Sequence, residues 1–110
     1  MRAVLYEAPR SPEEWLRWSF HHRNSHDNIR AAITANKGPN LPDYPIDPIR
    51  GPQIGDFLQY NSQLHSDMNS ALRLQSSDLL SVDFNNDAQR LAWIQIHARE
   101  HESAELALGI

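Results

Sequence analysis

Three stretches of the chain repeat apolar and aromatic residues at steps of three and four, the spacing that puts side chains on one face of an α-helix. The first carries Trp15, Trp18, His22, His26, Ile29 and Ile33. The second carries Ile54, Phe57, Asn61, His65, Met68 and Leu72. The third carries Trp93, His97, His101, Ala104 and Leu108. This pattern predicts three long helices over about 11–36, 52–74 and 86–109.

Start and stop signals agree with those limits. Ser11 offers an N-cap hydroxyl, Pro12 suits the first helical position, and Glu14 can close a capping box. Asn85 or Asn86 can cap the third helix, with Gln89 three residues beyond Asn86. The first helix should stop near 36–38, with Pro39 beyond it, and Gly109 should end the third. Between the first two helices, Pro39, Pro42, Pro45, Pro48 and Pro52 exclude helix and central strand. Leu41, Tyr44, Ile46 and Ile49 alternate with these prolines, so an ordered, extended loop packed along the helices is expected. In the second connection, residues 77–80 (SDLL) have the composition of a single helical turn. The N-terminal Arg2–Tyr6 is rich in strand formers and has no partner strand elsewhere, which predicts a short strand or arm that pairs with another chain. Arg2, Ala3, Val4, Leu5 and Tyr6, together with Trp15, are therefore the candidate interface residues.

The three helices repeat one another. With His26, His65 and His101 superimposed, the residue eight before is Trp18, Phe57 or Trp93, and the residue four before is His22, Asn61 or His97. Three after is Ile29, Met68 or Ala104, and seven after is Ile33, Leu72 or Leu108. Asp47 and Asp83 sit ten residues before Phe57 and Trp93. The period, 39 and then 36 residues, lies in the range of helical repeat units. The expected fold is a single all-α domain of three long helices joined by ordered crossover loops. The helices can run up-down-up, or the loops can return the chain and make them nearly parallel. In both cases the histidines meet at one level.

Composition narrows the function. The net charge is −4, and the ten basic residues are scattered among fourteen acids without two in a row, which disfavours nucleic acid as a partner. The absence of cysteine excludes disulfides and thiolate metal sites. The first fifteen residues lack the apolar core of a signal peptide, and no apolar run has membrane-spanning length, so a soluble protein with no membrane partner is expected.

His22, His26, His65, His97 and His101 form the candidate site. One reading is a buried, hydrogen-bonded polar layer that fixes the register of three similar helices, with Asn61, Asp47 or Asp83 as acceptors. The alternative is a metal site, because histidines at i and i+4 make a chelating pair and neutral imidazole suits zinc and other transition metals. Asn61 stands where the repeat has a histidine and is a poor ligand beside imidazole, which favours the polar layer. His97–His101 also spells H-x-x-E-H, but Glu100 reads as a solvated residue of a charged helix face. The four glycines are too dispersed for a phosphate loop, and no nucleophile elbow occurs. No catalytic residue and no cofactor is assigned, and enzyme activity is not expected.

The pattern formed by Phe57, Asn61, His65, Met68, Asn69, Leu72 and Leu74, then Asp78, Leu79, Val82 and Asp83, then Trp93, His97, Glu100, His101, Ala104, Ala107 and Leu108 to Ile110 resembles small uncharacterised proteins encoded in tailed-bacteriophage genomes. The resemblance spans about residues 54–110. It implies a structural role in a virion, as a head, neck or tail component in many copies. Its partners would be other protein chains, as a homo-oligomer or a larger virion assembly, in the virion or the host cytoplasm.

Overall fold

The computed structural model describes residues 2–44, 46, 54–75, 82–83 and 85–110. It contains α1 (Arg2–Leu5), α2 (Pro12–Ala35), α3 (Ile54–Leu72) and α4 (Asp87–Leu108), with no strand among the described residues; the fold is all-α. The expected anchor Ile49, the crossover residue Asp47 and the expected turn over 77–80 lie outside the described residues.

The long helices start and stop as their sequences dictate. Ser11 Oγ accepts from Glu14 N at 3.1 Å, and Asn86 Oδ1 accepts from Gln89 N at 3.1 Å. The reciprocal glutamate reaches one residue further back than a capping box requires, since Glu14 Oε2 accepts from Arg10 N at 3.0 Å. All three helices end in the same left-handed turn. Lys37, Arg73 and Gly109 have φ of 63°, 57° and 72°. Each next residue donates to the carbonyl five back: Gly38 to Ile33, Leu74 to Asn69, and Ile110 to Glu105. A side chain at position 38 has no room, because its Cβ would fall 2.6 Å from Ile33 Cγ2.

The repeat frame becomes a stack of layers. Trp18, Phe57 and Trp93 belong to one core cluster, and Ile29, Met68 and Ala104 to another. In every long helix the aromatic precedes the aliphatic residue by eleven positions, so the shared clusters require all three to run in the same direction. The parallel arrangement is thus selected over up-down-up. A helix of 24 residues spans about 36 Å, comparable with the molecule's 40 Å long axis. The described part of the proline-rich loop, 39–44 and 46, runs back from the aliphatic end to the aromatic end. Leu41 packs on the aliphatic cluster, Tyr44 stacks on Tyr60 at 5.5 Å, and Ile46 is buried in the aromatic cluster. Val82 of the second connection packs against that same aromatic end.

The N-terminal segment packs on the aromatic end of the bundle. Arg2–Leu5 is one turn of helix, and Leu5 is buried in the aromatic cluster with its carbonyl facing Trp18 Nε1 at 3.5 Å. Local strand propensity is a weak force next to the burial of two apolar side chains, Val4 and Leu5, at the end of a bundle.

Arg73 is exposed and has a positive φ that strains any residue with a Cβ. Arg73→Gly should stabilise the protein by about 0.5–1 kcal/mol, read as a rise in denaturant midpoint with an unchanged slope.

Candidate metal centre

The aromatic layer forms a near-equilateral triangle. Ring centroids are 6.3 Å apart for Trp18–Phe57, 5.9 Å for Trp18–Trp93 and 6.0 Å for Phe57–Trp93. One turn on, His22 stacks on Trp18 at 4.7 Å and His97 stacks on Trp93 at 4.4 Å. The indole faces fix both imidazole planes. The third position of that layer belongs to Asn61, which is fully buried. One turn further, His26, His65 and His101 make a second triangle, with centroids 4.4 to 4.9 Å apart. Ile29, Met68 and Ala104 close the stack below.

All five predicted histidines therefore converge, each no more than 2% exposed. One ring nitrogen from each lies within 4.8 Å of all the others. His22 Nε2 is 3.1 Å from His97 Nε2 and 3.0 Å from His26 Nε2, while His97 Nε2 is also 3.2 Å from Asn61 Oδ1. His65 and His101 are turned by partners outside the layer. His65 Nδ1 meets Glu100 Oε1 at 2.8 Å, and His101 Nδ1 meets Ser25 Oγ at 2.7 Å. Asn69 donates to the same Glu100 oxygen, and Ser25 donates to Glu105. Nε2 of His65 and His101 is left for the centre, and both atoms are buried without a hydrogen-bond partner.

The layer is polar and buried as expected, but it does not satisfy itself. Nδ1 of His22 and His97, Nε2 of His65 and His101, and Nδ2 of Asn61 are all buried and unpaired. The acceptors are also not those expected. Asp83 is exposed and its carboxylate accepts from Asn85 N, and Asp47 lies outside the described residues. Glu100 is not solvated: it is 6% exposed and holds His65. The repeat frame carried a signal for it. Ser25, Leu64 and Glu100 each directly precede the second-layer histidine, and all three are buried. Glu100 also lines a cavity of about 270 Å³ with Asn69, Ile96, Arg99 and Ser103, so its carboxylate stands between that cavity and the histidines.

Two of the N-terminal interface candidates lie inside the bundle. Val4 and Leu5 are buried in this chain's own core, and Tyr6 and Trp15 pack against it while partly exposed. Side chains of Arg2 and Ala3 lie outside the described set. His21, the histidine outside the repeat, sits on the surface against Phe20 at 5.5 Å.

Burial pushes His22, His26, His97 and His101 well below the ordinary 6.5, and the neighbouring histidines lower them further. These rings are neutral, which keeps lone pairs available to an electrophile. Comparison with protein-family models, with curated proteins and with solved structures finds no match.

The depressed values set a pH dependence for the metal-free protein. The unfolded chain takes up protons near pH 6.5 while the folded chain does not, so stability is complete above that pH and falls as the pH drops below it. The slope should approach about 1.4 kcal/mol per pH unit for each histidine involved. Chemical denaturation in chelator between pH 8 and pH 5 measures it, and a flat profile contradicts burial of neutral imidazoles.

Proposed function

We propose that this chain is a small metal-binding helical protein that holds one first-row transition-metal ion at the centre of its bundle. The observation that carries this reading is the convergence of five buried ring nitrogens, with His65 and His101 oriented from behind by Glu100 and by Ser25–Glu105. Metal-bound histidines commonly donate their second nitrogen to a carboxylate or hydroxyl in this way. A cation accepts several inward lone pairs at once, which no arrangement of imidazole protons achieves.

The ion's role is structural. The nitrogens come from three helices far apart in sequence, so a bound ion ties α2, α3 and α4 together at one level. Every ligand is buried, as in closed structural sites, whereas a hydrolytic site keeps a position open for water. After treatment with chelator, the protein should take up about one zinc, nickel or cobalt ion per chain. Saturation at a thousand times Kd should raise stability by about 4 kcal/mol. His65→Ala/His101→Ala should abolish both uptake and stabilisation. Calorimetric titration and metal analysis of the same sample measure this; a wild-type protein that remains metal-free at micromolar ion overturns the reading.

A role in a larger assembly is compatible with such a staple. Leu16 and Phe20 support it, because they lie one turn apart on α2 with 56% and 64% of their surface exposed. On this reading the docking face is the outer side of α2. Native mass of Leu16→Glu/Phe20→Glu should be lower than wild type if copies of the chain associate through it; equal masses remove self-association through α2.

A further inference from the structure

Six positions, not five, surround the centre. Three parallel helices each contribute two of them: His22 and His26, Asn61 and His65, His97 and His101. Two stacked triangles of donors, one turn apart, correspond to the two opposed faces of an octahedron. The distances favour the same geometry. At a metal–ligand length of about 2.1 Å, the edges of an octahedron are about 3.0 Å and its diagonals about 4.2 Å, while a tetrahedron has edges of about 3.4 Å and no diagonals. The close pairs are 3.0 Å for His22–His26, 3.1 Å for His22–His97 and 3.2 Å for His97–Asn61. The five nitrogens all lie within 4.8 Å of one another, a spread wider than a tetrahedral edge of about 3.4 Å and nearer the octahedral diagonal of about 4.2 Å.

We infer that Asn61 is the sixth ligand, binding through Oδ1, and that the site is a six-coordinate centre of five imidazole nitrogens and one amide oxygen. This rests on the metal-binding reading above. Asn61 is fully buried, its Oδ1 already faces His97 Nε2, and its Nδ2 has no partner that would hold the amide for another purpose. Its replacement of a histidine therefore keeps a donor at the centre and changes its type. An oxygen donor beside five nitrogens suits ions that accept six ligands of mixed type, such as iron(II), cobalt(II), nickel(II) and manganese(II). It disfavours copper(I), which prefers fewer and softer ligands.

Cobalt(II) reports coordination number directly, since its visible absorption is weak in six-coordinate sites and intense in tetrahedral ones. The wild-type protein loaded with one cobalt(II) per chain should show the weak spectrum. Asn61→Ala should give a stronger spectrum and bind cobalt(II) at least ten-fold more weakly. Asn61→His should keep the weak spectrum and full occupancy, which also guards against a folding defect in the alanine variant. An intense tetrahedral spectrum in the wild type, or an Asn61→Ala protein that matches the wild type in spectrum and affinity at full occupancy, overturns the role of Asn61 while leaving metal binding intact. A wild-type protein that takes up no cobalt(II), nickel(II) or zinc overturns both.

Discussion

Everything in this protein is arranged around the desolvation of imidazole. Placing five histidines and an asparagine at one level of a bundle leaves five ring or amide nitrogens buried and unpaired. Each polar group buried without a partner costs about 1–3 kcal/mol, which is large beside the stability of a typical domain. Structure on either side must offset that loss when no cation is present. On one side stands the triangle of Trp18, Phe57 and Trp93, whose indoles stack directly on His22 and His97. On the other are Ile29, Ile33, Met68 and Ala104. The polar layer is thus held between two apolar ones, and under the metal-binding proposal an ion would supply the partner that these nitrogens lack.

Parallel helices follow from that arrangement. A common level for the histidines is possible with helices in either sense, but aromatic residues meet aromatic residues, and aliphatic meet aliphatic, only when all three run the same way. Such a bundle cannot use tight turns. Each connection must return the chain along the length of a helix, and in the first one the described residues 39–44 and 46 follow that course, anchored by Leu41, Tyr44 and Ile46. Its exposed side is tied by Arg23, which pairs with Asp43 at 2.7 Å and donates to the Tyr44 carbonyl.

Much of this was legible in the residues. Helix limits came from Ser11, Pro12, Asn86 and Gly109, and the layers came from the repeat frame. Helix direction was not legible, because periodicity identifies a buried face without saying what lies opposite. Glu100 was misread because a charged residue on a charged helix is normally solvated; only the geometry of α3 beside α4 brings His65 to it. Asn61 was legible as a departure from the repeat, but its distance from His97 Nε2 changes what the departure means.

The repeat has a kinetic consequence. Residues that share a layer are separated by 36 or 39 positions, and by 75 between α2 and α4. Antiparallel hairpins let neighbouring helices find each other across a short turn, but no such shortcut exists here. Loop closure must precede nearly every core contact, so this bundle should fold more slowly than helical proteins of its size dominated by local contacts.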